Sequence, residues 1–233
     1  MISREISLDG RRVLVLGGSG VLGGLIATEL YRNGARLVLA GRDAERLHHR
    51  ASSISADVQS VLFDLRQRAH AEHVVQTAVA MLGGLDGVVN AAGVVAFGAH
   101  DTIGAAALDE LFAVDLVGPL QVFSSALAHM EQGFLVNISG VVAEQPMAGM
   151  AAYSAAKAGL SAATLALGRE LRRRGIHVLD ARPPHTETGL ATRPISGRAP
   201  KMPPGLDPEL VANTIVAGLV GGRRELPASA FAE

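Results

Sequence analysis

The chain has 233 residues and a formal net charge of −1, with 21 Lys and Arg against 22 Asp and Glu, which excludes nucleic acid or an anionic membrane surface held by a broad basic field. It contains no cysteine, so disulfides, thiol catalysis and cysteine-based metal sites are excluded. Hydrophobic residues make up 48% of the chain and aromatic residues only 3%, a balance suited to alanine-faced helices on a valine- and leucine-rich parallel sheet.

The chain opens Met1-Ile2-Ser3-Arg4-Glu5, charged early and without the apolar run of a secretory leader. Residues 13–16 read as a short buried strand, followed by a glycine cluster and a helix to about Asn33. Residues 37–40 form a second strand, 44–51 a polar helix and 61–63 a third strand, with a helix from about Ala69 to Leu82. Residues 87–90 form a fourth strand, 105–130 a long helical region, 134–138 a fifth strand, 151–173 a strong helix and 176–179 a sixth strand. This alternation predicts an α/β architecture of one domain, a doubly wound parallel sheet of about seven strands with helices on both faces. No run approaches ~20 uninterrupted apolar residues, so the expectation is a cytoplasmic protein with no membrane span. From 183 to 208 the rhythm breaks: seven prolines, scattered glycines and the basic Arg193, Arg198 and Lys201. A connection this long inside a compact domain is a functional lid or a mobile segment, expected over about 184–206. Order resumes in a helix over 207–219, with Asp207 at its cap and Pro208 at its first position.

The turn Gly17-Gly18-Ser19-Gly20-Val21-Leu22-Gly23 joins the first strand to the first helix. Gly17 permits the tight turn, Gly20 lets backbone approach a pyrophosphate, and Gly23 allows close helix–strand packing. The helix start offers N–H groups and a positive dipole end to phosphates. At the end of the second strand, where a carboxylate would hold the ribose of NAD, stands Arg42. A guanidinium matches a 2′-phosphate in charge and fork geometry, so NADP(H) is expected over NAD(H); a solvated arginine opening a surface helix is the plain alternative.

Tyr153 and Lys157 lie one helical turn apart and share a face, so the ammonium is expected to favour the phenolate and lower the tyrosine pKa toward a range useful for proton transfer. At these residues the chain resembles the short-chain dehydrogenase/reductase family. Gly17 to Gly23, Asp64-Leu65, Asn90-Ala91-Ala92-Gly93, Tyr153-x-x-x-Lys157 and the 183–188 segment follow in the family's order across nearly the whole length. The resemblance implies a Rossmann-type fold in which Gly17, Ser19, Gly20, Leu22 and Arg42 meet the dinucleotide. It implies Asp64 and Leu65 near the adenine, and Asn90, Ala91, Gly93 and Ile138 along the ribose side. Lys157 would bind the nicotinamide ribose, Pro183, Thr186 and Thr188 the nicotinamide, and Tyr153 would be the general acid or base toward a ketone or secondary alcohol.

The departures are specific. Leu16 stands where the classical glycine pattern begins with threonine, Gly140 where the catalytic serine belongs, Asp115 for a helix asparagine, and Pro183-Pro184 for Pro-Gly. Ser139, beside Gly140, is a candidate replacement only if the strand end is distorted, since neighbouring strand residues point to opposite faces; His185 and Thr186 are the others. Losing one such donor costs about 10²–10³ in rate. Two readings therefore stand: an NADP(H)-dependent oxidoreductase, and a catalytically weakened NADP(H)-binding sensor or scaffold. The histidines, His48-His49 included, lack metal spacing, so no metal is expected. Small residues along 152–171, among them Ala155, Ala158 and Ala162, imply by resemblance a homodimer or homotetramer, with a small molecule as the remaining partner.

Overall fold

The computed structural model describes residues 5–67 and 70–232; the expected helix start at Ala69 and the opening residues 1–4 lie outside them. Seven parallel strands form one sheet in the order β3-β2-β1-β4-β5-β6-β7: β1 (Arg12–Leu16), β2 (Arg36–Gly41), β3 (Gln59–Leu62), β4 (Gly87–Asn90), β5 (Gly133–Ile138), β6 (Ile176–Ala181) and the two-residue β7 (Glu225–Leu226). Val13, Leu14, Val15 and Leu16 are each at most 1% exposed, the continuous apolar burial of a strand covered on both faces.

Helices α1 (Val21–Arg32), α2 (Ala44–Ile54) and α7 (Pro208–Val220) bury Ile26, Leu30, Leu47, Val211 and Ile215 in one core. On the other face α3 (Ala71–Leu82), α4 (Ala105–Phe112), α5 (Gly118–Leu127) and α6 (Ala151–Glu170) bury Val74, Ala78, Leu111, Val122 and Ala152 in a second. The chain winds outward from β1 to β3 and then returns to lay β4 on the other side of β1, which opens a crevice between the carboxyl ends of β1 and β4. Asp43 caps α2 by accepting from the Arg46 amide, and Asp207 caps α7 by accepting from the Glu209 amide.

The region expected as one helix over 105–130 is interrupted and ends at Leu127: α4 passes into α5 through a π-helical turn, Ala113–Val117. Pro119 has no N–H to give the Asp115 carbonyl; the ladder opens, and the Gly118 amide reaches back five residues to the Ala113 carbonyl. Ala105–Leu127 is long and apolar enough to cross a bilayer by length and composition, and half of its most apolar stretch is buried within the molecule. The helix expected to 173 ends at Glu170, followed by a 3₁₀ turn over Leu171–Arg174.

The proline-rich connection is anchored rather than loose. Ile195 N donates to Val95 O at 2.9 Å and Phe97 N to Ser196 O at 3.0 Å. At its ends Leu206 N donates to His185 O and Glu187 N to Leu206 O.

Candidate active site

A cleft of ≈ 520 Å³ follows the carboxyl ends of the strands from the β1–α1 turn to residues 183–202. Gly17 sits at φ +74°, and a Cβ there would lie 2.7 Å from Ala92 N and 2.8 Å from Ala91 O. A Cβ on Gly23 would come within 2.3 Å of Gly17 O. Bare backbone is therefore required on both sides of the turn. Gly20 precedes α1 with no side-chain cap, and no acidic residue lies in the first turn, leaving a positive helix terminus facing the cleft. Ser19, Gly20 and Leu22 line the same stretch.

At the far end the cleft is lined by Arg42, Asp43, Arg46, Asp64 and Leu65. Arg42 is more than half exposed and lies 3.8 Å from Glu110; Arg46 donates to Ser19 O at 3.3 Å. Asp64 is occupied by Arg66, whose guanidinium holds its carboxyl below the usual range. Two guanidinium groups at one end and a bare helix terminus in the middle fit a dinucleotide carrying an extra phosphate. Arg46 was not read from the sequence; its place four residues after Arg42, on the first turn of α2, was the available signal.

The middle of the cleft is lined by Ala91, Gly93 and Ile138. Asn90, expected to shape the ribose side and support the sheet, is fully buried and donates to Asn137 Oδ1 at 3.0 Å. Strand register explains this: Asn90, Asn137 and Asp180 are aligned across β4, β5 and β6 and form a ladder, Asn137 donating to Asp180 at 2.9 Å.

Tyr153 and Lys157 project from the first turns of α6 into the cleft. The Lys157 ammonium lies 5.9 Å from the phenol ring centre, donates to Ile138 O at 3.2 Å, and is 3.4 Å from Asp115 Oδ1. Asp115, on the π turn, is wholly buried and also accepts from Val94 N at 3.1 Å. Burial pushes its carboxyl up to about 6 against the opposing pull of Lys157 and the Val94 amide, with Glu110 adding to the rise. The phenol departs from expectation: burial, then the Asp115 charge, push Tyr153 above the ordinary tyrosine value. Spacing brought lysine and tyrosine together, but the carboxylate that offsets the ammonium comes from another helix.

Ser139 borders the cleft but is 1% exposed, with its hydroxyl already engaged. Its Oγ donates to Asp180 at 2.8 Å, and Ser161 Oγ donates to the same carboxylate at 2.6 Å. Burial raises the Asp180 carboxyl despite these donors. Gly140 has φ +85°, and a Cβ there would meet only Pro183 O at 3.9 Å. Pro183, Thr186 and Thr188 line the cleft, as does His185; Thr186 Oγ1 donates to Pro184 O at 2.9 Å, and His185 lies 3.5 Å from Glu187. Val95, Phe97, Val142 and Met150 form a small apolar cluster against Tyr153, with Leu190 and Ala191 packed on it.

Residues 11–197 match the family model described as short chain dehydrogenase. The chain is 29% identical over 216 residues to an uncharacterized oxidoreductase of Staphylococcus aureus (strain MW2), covering 91% of this chain and 92% of that protein. It is 30% identical over 236 residues to the 3-ketodihydrosphingosine reductase of Bos taurus, covering 94% of this chain and 71% of that protein. Among solved structures, a short chain dehydrogenase from Burkholderia cenocepacia J2315 in complex with NADP superposes with a TM-score of 0.84 at 27% identity, covering 97% of this chain and 99% of that chain.

Proposed function

The chain belongs to the short-chain dehydrogenase family of oxidoreductases, and from that premise we propose that it is an NADP(H)-dependent enzyme that interconverts a ketone and a secondary alcohol. The observation that carries this reading is the convergence of Tyr153, Lys157 and the Gly17 turn on one cleft. When bound, the dinucleotide supplies or accepts the hydride. Gly17, Ser19, Gly20 and Leu22 would hold its pyrophosphate, Arg42 with Arg46 its 2′-phosphate, and Asp64 and Leu65 its adenine side. Ala91, Gly93 and Ile138 would line the ribose, and Pro183, Thr186 and Thr188 the nicotinamide. The NADP in the Burkholderia cenocepacia structure supports that choice of cofactor, and the ketone named for the bovine relative supports the substrate class.

Tyr153 holds the transferable proton at its hydroxyl, and Lys157, fixed by Ile138 O, positions the ribose and the phenol. Residues 184–204 cover the substrate and exclude water. The reading includes a cytoplasmic homodimer or homotetramer, which light scattering on the purified protein checks for assembly.

The test is turnover of a ketone panel with NADPH, parent against Tyr153→Phe. Loss of turnover in the variant with NADPH binding retained is expected; equal turnover would remove the tyrosine from the reaction. A second reading, an NADP(H)-binding sensor or scaffold with weakened chemistry, is favoured by Gly140 and by Ser139 being spent on Asp180. It predicts tight NADPH binding with no turnover in the parent.

A further inference from the structure

The buried carboxylate beside Lys157 is not required by the proton transfer described above, yet it is placed to govern it. Asp115 lies on the π turn that Pro119 forces, so an irregular stretch of helix delivers it to the buried side of Lys157, which lines the cleft. It is 0% exposed. Oδ1 takes the Val94 amide and faces Lys157 at 3.4 Å, while Oδ2 is buried without a hydrogen-bond partner. The pair rests against the bare backbone of Gly93, where a Cβ would stand 2.9 Å from Asp115 Oδ1 and 3.3 Å from Lys157 Nζ. A lysine meant to draw a proton off a phenol works through its unbalanced positive charge; here the charge is balanced at contact distance by an equally buried negative one.

Resting on the reading of Tyr153 as the proton donor, we propose that Asp115 is a positioning residue that sets the pH range over which this centre works: its carboxylate offsets Lys157 and leaves the proton on the Tyr153 hydroxyl, ready for a carbonyl oxygen, up to higher pH. In the balanced step a bound reduced dinucleotide would supply the hydride to the carbonyl carbon and be oxidised. The C=O π bond breaks, the oxygen takes the Tyr153 proton, and the phenolate is reprotonated from solvent. Alcohol oxidation needs the phenolate first, and the Asp115 charge opposes its formation, in keeping with the upward push on the phenol. The other charged group acting on Asp115 is Glu110 on α4, itself paired with Arg42 and Arg66; on α6 the facing groups are Lys157 and Tyr153.

The experiment compares parent, Asp115→Asn and Tyr153→Phe across pH in both directions, with NADPH plus ketone and with NADP⁺ plus alcohol. Asparagine keeps an acceptor for Val94, removes the charge and puts an NH2 donor in place of the unpartnered Oδ2. The expected result is that the alkaline fall of reduction and the rise of oxidation both move to lower pH by about one unit in Asp115→Asn. Unmoved inflections in Asp115→Asn, with turnover lost in Tyr153→Phe, would overturn the proposal while sparing the tyrosine reading. Turnover surviving in Tyr153→Phe would remove both.

A readout independent of turnover uses the chain's two tyrosines, Tyr31 and Tyr153. Tyr31→Phe leaves one phenol, whose ionisation is followed by ultraviolet absorbance without tryptophan or cysteine interference. Ionisation above the ordinary value of about 10, lowered when Asp115→Asn is added, is expected. If Asp115→Asn does not fold, a Tyr153 in the Tyr31→Phe protein that ionises at or below about 10 overturns the proposal by itself.

Discussion

Replacing Arg42 by alanine separates cofactor choice from fold. The Arg42 side chain is 57% exposed and its carboxylate partner, Glu110, is 3.8 Å away; such a pair contributes at most about 1 kcal/mol, so the ligand-free variant should unfold within a few degrees of the parent. A charge-assisted contact to a phosphate contributes about 1.5–3 kcal/mol, which is roughly 10- to 150-fold in the NADPH dissociation constant. Arg46 lines the same end of the cleft and should keep the loss in the lower part of that range. Thermal unfolding with cofactor reads this directly. At a concentration about 100 times the parent's Kd, NADPH should stabilise the parent by about 2.7 kcal/mol, or roughly 5–11 °C for a domain of this size. A variant weakened about 10-fold retains about 1.4 kcal/mol, a shift of roughly 3–6 °C. NADH should shift both proteins alike. Equal affinity of the parent for NADH and NADPH, or parallel loss of both in Arg42→Ala, would refute the assignment of the arginine to the extra phosphate.

Gly140→Ala and Gly140→Ser should each lower stability by about 1–2 kcal/mol, the cost of placing a Cβ on left-handed backbone, despite the open space around this residue. Equal drops of roughly 2–8 °C in thermal unfolding would identify strain as the cause, and unchanged stability would dismiss it. Ser161→Ala removes the 2.6 Å donor to buried Asp180 and should cost about 1–3 kcal/mol in urea unfolding. The raised Asp115 carboxyl means that the folded chain holds a proton the unfolded chain has released, between the ordinary value of 3.8 and about 6. Stability attributable to this group therefore falls as pH rises through that window and recovers as pH falls. Denaturant unfolding of parent and Asp115→Asn should diverge in the parent's disfavour between pH 4 and 6; parallel curves would count against the shift.

Most of the fold was legible because it rests on local, periodic signals. Buried parallel strands read as continuous apolar runs, helices between them read by their length, and Gly17, Gly20 and Gly23 mark the first crossover whatever surrounds them. Boundaries moved where local signals compete: Pro119 opened a π turn that composition alone reads as unbroken helix, and the polar α2 ran on to Ile54 past the expected end at Ala51. The short β7, at Glu225–Leu226, has too little sequence to announce itself and exists because Arg182 N and Asp180 N pair with its edge.

The chain's order of residues determined by itself that Tyr153 and Lys157 share a helical face and that Gly140 brings no hydroxyl, since both follow from spacing and side-chain chemistry. Only the tertiary structure decided which groups oppose them. Asp115 reaches Lys157 from a helix 42 positions away at 3.4 Å, Ser139 turns to Asp180 across 41 positions, and buried Asn90 meets Asn137. Those pairings depend on strand register and helix packing. Their electrostatic strength comes from the exclusion of water, and neither packing nor dehydration has a period that can be read along the chain.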